Sequence, residues 1–322
     1  MKNKLIRQIM EHEVFRHQPP VLVDVGASGE IHEEWAEIAP YSLCIAFDGD
    51  DREFKSDKSS EKGYRELILY HRVLTAKEEE KCDFFLTASP YCSSTLPPDT
   101  AGLKPYSFRP FFEVEKQLQL KSVTLNEVLK ENNLDYIDWF KTDSQGTDLR
   151  LFASLPEAVA EKVKIADFEP GIIDAYCGED KFYDLLKWMN GKNFFLDTLD
   201  VESVYRIQPE TLQSFQLSSK VWRYAKPTPG WVNLTFLSNG AGSEAWTLRD
   251  TLFFMVCCLI KKQYGMLLEF ASEAKNRFPE EEKIFSAAAE KALKELKPSF
   301  FTLCRRTLCR KLISFLRRKC VL

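Results

Sequence analysis

The sequence lacks any apolar segment long enough to cross a membrane. Its longest apolar run, 252–260, covers nine residues, whereas a membrane-spanning helix needs about 20. The first residues, MKNKLIRQIMEHEVFRH, carry charges throughout and lack the apolar core of a signal peptide. We therefore expect a protein that is neither membrane-spanning nor secreted, and a cytoplasmic location.

Metal-binding cysteine motifs are also absent. The nine cysteines are scattered along the chain, and none has the paired C-x-x-C spacing of a structural zinc site. An odd number of scattered cysteines favours free thiols in a reducing compartment.

What the sequence contains is typical of a globular protein. Hydrophobic residues make up 44% and charged residues 29% of its 322 residues, enough for one large domain and a smaller one. The net charge is −4, but seven basic and no acidic side chains lie in 301–322, so the rest of the chain carries −11. An acidic body disfavours nucleic acid as a partner.

Apolar runs alternate with helix-like segments over the first two hundred residues. This alternation predicts an α/β fold with a Rossmann-like, doubly wound and mostly parallel sheet covered by helices. Strands are predicted at 21–25, 43–47, 67–74, 137–141, 163–168 and 194–199, with a helix at 180–191. We assign 1–245 to this domain, 246–298 to a helical appendage and 299–322 to a basic amphipathic tail.

Two regions depart from the alternating pattern. Segment 76–122 reads as two strands around a turn-rich stretch, and we interpret it as an insertion near a ligand cleft. Segments 221–225 and 231–238 flank KPTPG and predict a hairpin. Three helices are predicted at about 248–262, 263–276 and 280–296.

A glycine loop follows the first predicted strand in VDVGASGE, residues 23–30. A dinucleotide fold needs G-x-G-x-x-G, but Ser28 and Ile31 occupy the second and third glycine positions. Gly26 and Gly29 remain, which indicates a tight turn beside a ligand other than a pyrophosphate. A plain structural turn is the alternative.

Carboxylates follow several predicted strands. Because the carboxyl ends of parallel strands meet at one edge of the sheet, we expect these side chains to face one cleft. An acidic cleft suits a cationic, ribose-bearing ligand. The expected members are Asp24, Asp48, Asp143 and Glu169.

The segments VDVGASGE, FDGDD, SVTLNEVL, IDWFKTDSQGTDLRLFASL and IADFEPG occur in the order seen in the FkbM family of methyltransferases. The chain resembles this family over roughly 20–200, and the resemblance implies a class I fold that binds S-adenosylmethionine. It implies Asp48 on the ribose and Asp143 near the methionine amino group. The implied cofactor-binding residues of the loop are Asp24, Gly26, Ala27, Ser28 and Gly29.

The expected activity is O-methylation of a hydroxyl on a sugar, a glycan or a secondary metabolite. Asp143 and Glu169 are the candidate bases, and Lys141 either anchors a carboxylate in the cleft or pairs with one at a strand end. A divalent metal held by Asp143 and Glu169 is a less favoured alternative. A second hypothesis is a non-catalytic cofactor-binding or scaffold protein, because Gln145 and Asn126 replace acids of the family motifs.

Other candidates have plainer interpretations. His32 and His71 are interpreted as structural, and Tyr91, Ser93 and Ser94 as parts of a solvated loop rather than of the cleft mouth. The tail 301–322 places apolar residues on one helical face among arginines. A peripheral contact with the inner membrane face and packing on the acidic body both remain open for it.

Overall fold

The computed structural model describes residues 3–27, 31–47, 63–217 and 224–297. Contacts divide the chain into two compact units, one spanning 13–245 and the other combining 1–12 with 246–322.

The described part of the unit 13–245 contains two β-sheets. In chain order the strands are β1 (Val21–Val25), β2 (Leu43–Phe47), β3 (Glu66–Tyr70), β4 (Val73–Leu74), β5 (Lys81–Thr87), β6 (Val114–Val123), β7 (Trp139–Thr142), β8 (Ile165–Phe168), β9 (Phe194–Val204) and β10 (Thr228–Ser238). Among the described residues of both units, the helices are α1 (Lys4–Met10), α2 (Val14–His17), α3 (Thr100–Leu103), α4 (Leu125–Glu131), α5 (Asp148–Ala153), α6 (Glu157–Ala160), α7 (Phe182–Met189), α8 (Pro209–Ser214), α9 (Leu248–Ile260), α10 (Tyr264–Arg277) and α11 (Glu282–Leu296).

The larger sheet has seven strands in the order β3-β2-β1-β7-β8-β10-β9. Neighbouring strands from β3 to β8 are parallel, whereas β10 runs antiparallel to both β8 and β9. Every residue of β1 and β2 is buried, as expected for apolar strands covered on both faces. The predicted α/β fold with a mostly parallel sheet is confirmed, and it is compatible with a Rossmann-like fold.

The order of the strands reverses between β1 and β7. The chain proceeds outward from β1 through β2 to β3 and later enters the other half of the sheet at β7. β1 and β7 lie side by side, with Asp24 opposite Lys141 and Val25 opposite Thr142. In open α/β sheets, ligands bind beyond the carboxyl ends of the strands at such a reversal.

The insertion supplies β5 and most of β6 of the smaller sheet, whose strand order is β4-β6-β5. The single strand predicted at 67–74 is wrong, because the chain divides there into β3 and β4. β3 pairs with β2 in the large sheet, whereas β4 pairs with β6 in the small one. One apolar run therefore supplies strands to two sheets.

The predicted hairpin of 221–225 with 231–238 is also wrong for its described part. Tyr224 and Ala225 lie outside any strand, and residues 221–223 lie outside the described residues. β10 pairs with β9 along one edge and with β8 along the other. Both of its edges are thus hydrogen-bonded, which leaves no place for another strand.

The second unit is helical and comprises α1 with α9, α10 and α11. The three predicted C-terminal helices are confirmed. Residues 251–259 of α9 are all buried, as expected for a helix that is apolar on all sides and packed in a core. Within the described ranges, no helix is long and apolar enough to span a membrane.

Candidate functional site

Gly26 makes the turn that ends β1 at the strand-order reversal. Its φ is +79°, and a Cβ there would overlap the backbone carbonyl of Asp143. The Asp143 amide in turn donates to the Val25 carbonyl oxygen at 2.9 Å. The loops after β1 and β7 therefore approach so closely that only glycine fits.

A cavity lies against this contact. Gly26, Ala27, Phe47, Asp143 and Gln145 are among its lining residues. Its volume of about 140 Å³ is below the roughly 300–1,000 Å³ of typical small-molecule sites. It can therefore enclose one part of a cofactor-sized ligand.

Asp143, just after β7, and Glu169, just after β8, form a carboxyl pair. The two groups share a hydrogen bond, which the protonated Glu169 donates to Asp143. Burial, and then the charge of Asp143, raises the pKa of Glu169 to about 9, and burial also raises the pKa of Asp143. At neutral pH this Asp143–Glu169 pair retains a proton and shares it.

Lys141 forms an ion pair with Asp24 across β7 and β1, with 2.8 Å between Nζ and Oδ1. Burial would lower the pKa of Lys141, but the charges of Asp24, Asp143 and Asp167 outweigh this effect and raise it. Lys141 thus stays charged and cannot act as a base. Of its two predicted roles, the structure shows pairing with a carboxylate of the neighbouring strand.

Asp148, the first residue of α5, supports the turn after β7. Its Oδ1 accepts hydrogen bonds from the Thr142 hydroxyl at 2.7 Å and from the Ser144 amide and hydroxyl at 3.1 and 2.9 Å. Its Oδ2 is buried and has no hydrogen-bond partner among the described residues. Burial raises the pKa of Asp148 to about 6. Sequence reasoning missed this residue, although an acid at the first position of a helix is a recognisable signal.

Gln145 and Tyr176 adjoin the carboxyl pair. Gln145 Nε2 donates to Asp143 Oδ1 at 2.5 Å, and the Tyr176 hydroxyl lies 2.8 Å from Gln145 Oε1. The sequence singled out Gln145 only as a departure from a family motif. It carried no signal for Tyr176, which is 31 residues away and reaches the site only through folding.

The insertion supplies another wall of the cavity. Tyr91 and Ser93 line it, and Ser93 and Ser94 are buried. The solvated-loop interpretation is therefore wrong for both serines, because Ser94 forms a backbone bridge with Phe85 of β5 that holds it inside. His32, interpreted as structural, packs its ring edge on Trp35 at 5.6 Å between centroids.

Some of the predicted site residues lie together in the structure, and others lie outside the described residues. Asp24, Gly26, Ala27, Lys141, Asp143 and Glu169 lie together at the carboxyl ends of β1, β7 and β8. Ser28, Gly29, Asp48 and the tail 301–322 lie outside the described residues. The parts of the chain that are described contain no cluster of three or more His, Cys, Asp or Glu side chains that could hold a metal ion.

No protein-family model, curated protein or solved structure matches this chain. The resemblance to the FkbM family therefore stays a prediction. The function has to be argued from the chemistry of the site.

Proposed function

We propose that the protein is an S-adenosylmethionine-dependent methyltransferase that methylates a hydroxyl of a sugar, a glycan or a secondary metabolite. The observation that carries the proposal is the cavity at the strand-order reversal, which Gly26, Ala27 and Asp143 line. A ligand in this cavity would lie against the backbone of the loops after β1 and β7, and the neighbouring side chains are acidic. Both properties suit a cofactor that is cationic at its sulfonium and carries a ribose.

The residues present fit such a cofactor. Gly26 and Ala27 place no side chain or only a methyl group against the cavity in which the cofactor would bind, and the carboxylates favour a positive charge. Bound S-adenosylmethionine would supply an electrophilic methyl group. Asp24, Gly26, Ala27 and Asp143 are the described residues that would hold it, as the resemblance implies.

The chain's own contribution to methyl transfer is alignment, exclusion of water and removal of one proton. In-line displacement at a methyl group gains much of its acceleration from positioning the reacting atoms. While the Asp143–Glu169 pair holds one proton, it has one negative charge and can accept the proton of the acceptor hydroxyl. Lys141 keeps its charge beside the pair and limits the repulsion among the carboxylates.

Calorimetry with S-adenosylhomocysteine tests cofactor binding. We expect wild type to bind, Gly26→Ala to bind at least about tenfold more weakly, a loss of about 1.4 kcal/mol, and Gly191→Ala to bind like wild type. Gly191 is a matched control, since its φ is +84° and a Cβ there would meet nothing within 4 Å. Failure of the folded wild type to bind would refute the proposal.

Catalysis needs a separate experiment. Wild type and Glu169→Gln are incubated with methyl-labelled cofactor and a pool of glycans and metabolites. We expect label in a product of the wild type and a large loss in the variant. Binding without any transfer of label would favour the non-catalytic scaffold hypothesis.

A further inference from the structure

Gln145 has an unusual backbone conformation. Its φ is +56°, in the left-handed region that favours glycine, and Gly146 follows with φ +103°. A non-glycine residue persists there only if its surroundings hold it, and such positions cluster at functional sites. The Ser94 hydroxyl donates to the Gln145 carbonyl oxygen at 2.7 Å, so the strained turn is secured from the insertion.

The Gln145 side chain bridges two groups of different character. Its Nε2 faces Asp143 Oδ1, and its Oε1 faces the Tyr176 hydroxyl. While the Asp143 carboxylate is ionised, it can accept hydrogen bonds but cannot donate them. It therefore selects the orientation of the Gln145 amide in which Nε2, the donor, faces Asp143. The proton of Tyr176 then lies between two acceptors, Gln145 Oε1 at 2.8 Å and the Cys92 carbonyl oxygen at 3.0 Å.

Tyr176 is itself held rigidly. It is buried, and it belongs to the loop after β8, whose Asp180 accepts from the guanidinium and backbone amide of Arg150 in α5. Glu179 accepts from the Ala175 amide at 2.7 Å, within the same loop. Because these hydrogen bonds hold the loop in place, its tyrosine can fix the orientation of the Gln145 amide that it contacts.

We infer that Gln145 and Tyr176 are positioning residues that orient the Asp143 carboxylate and, through the donor that Gln145 Nε2 presents to it, stabilise its ionised form. The catalytic meaning of this inference rests on the proposed methyl transfer, but the electrostatic arrangement does not. An acid at position 145 could not do the same, since its carboxylate would face Asp143 with like charge. Gln145 is therefore a functional choice for this site rather than a sign of its decay.

Other charged and titratable groups also face the pair, and every one except the Tyr176 phenol is present in all the variants compared below. They come from β1, β7, α5, the insertion and the loop after β8. These groups are Asp24, Lys141, Asp148, Cys92 and the phenol of Tyr176 itself, and Glu179 lies near that phenol.

The test is a pH titration of the carboxyl carbons of Asp143 and Glu169 by NMR, on full-length protein labelled with ¹³C at the Asp and Glu carboxyls. Removing a donor from an ionised carboxylate raises its pKa. Gln145→Met should raise the lower apparent pKa of the pair by about one unit, as expected for loss of one hydrogen bond to a charged group. Tyr176→Phe should shift it in the same direction, and the double variant should add little to Gln145→Met.

Tyr136→Phe is the matched control for Tyr176→Phe. The Tyr136 hydroxyl is also hydrogen-bonded, to the Pro19 carbonyl oxygen at 2.8 Å, but it lies before β7, near the amino ends of β1 and β7. Its loss should leave the titration of the pair unchanged. An unchanged titration in Gln145→Met would overturn the inference, even if Tyr176→Phe failed to fold.

The outcomes separate the two proposals. If methyl transfer occurs, the acidic limb of its pH profile should move in Gln145→Met by the same amount as the NMR titration. A shifted titration without methyl transfer in wild type would retain the positioning role and refute the proposed function. Methyl transfer with an unmoved titration would refute the positioning role alone.

Discussion

Replacing Gly26 by alanine tests the geometry of the site without any knowledge of the substrate. The variant must place a Cβ where the Asp143 carbonyl lies, at a residue whose φ is +79°. The left-handed conformation costs an L-residue about 1–2 kcal/mol. Overlap with a packed backbone adds about 1–3 kcal/mol, because the loops after β1 and β7 would have to separate.

Gly191→Ala isolates the first of these costs. Gly191 has a φ of +84°, and its added Cβ would meet no atom within 4 Å. We therefore expect a free-energy loss of about 1–2 kcal/mol for Gly191→Ala and about 2–5 kcal/mol for Gly26→Ala. The difference between the free-energy losses of the two variants measures the cost of overlap between a Cβ at position 26 and the Asp143 backbone.

Urea unfolding followed by circular dichroism provides the measurement. Both glycines belong to the unit 13–245, so one transition reports both substitutions, and midpoints at equal slope give the free-energy difference. Equal losses of stability in the two variants would refute the close approach. The wall that the loops after β1 and β7 form beside the cavity would then lose its structural basis.

Two further substitutions test the buried charges. Lys141→Met should cost about 3–5 kcal/mol, because it leaves the nearly buried carboxylate of Asp24 without its ion-pair partner, and Asp24→Asn in the same chain should restore most of the loss in urea unfolding. A Lys141→Met variant as stable as wild type would contradict the pairing. Because burial raises the pKa of Asp148 from 3.8 to about 6, the ionisation of this one group should remove roughly 3 kcal/mol from the stability of wild type as pH rises from about 4 to 7. Asp148→Asn should lack this loss, so its free energy of unfolding should rise relative to that of wild type as the pH increases. Parallel curves of unfolding free energy against pH would refute this prediction.

Local sequence patterns predicted the strands best where an apolar run of the sequence forms a single strand in a single sheet. The runs of β1 and β2 are bounded by turn residues, and their predicted limits agree with the structure. The run at 67–74 is interrupted by His71 and Arg72, and β3 and β4 on either side pair with strands far apart in the chain. Apolar character records burial, whereas the choice of partner strand is non-local.

The candidate site likewise contains residues that the local sequence predicted and residues that only tertiary packing brings together. Gly26, Asp143 and Glu169 could be predicted, since each follows a strand and the carboxyl ends of parallel strands share an edge. The role of Lys141 could not be decided until the register placed it opposite Asp24. Tyr176 could not be predicted, because only the packing of the loop after β8 brings its hydroxyl to Gln145.

The sequence by itself thus determined the fold class, the glycine turn and the acids at the strand ends, because these depend on periodicity and on the chemistry of neighbouring residues. The tertiary structure alone decided which carboxyls share a proton, which one is neutralised by Lys141, and which amide orients Asp143. These properties depend on distances of a few ångströms between residues far apart in the chain and on their burial. Only packing sets both, since electrostatic interactions depend steeply on distance and on the exclusion of water.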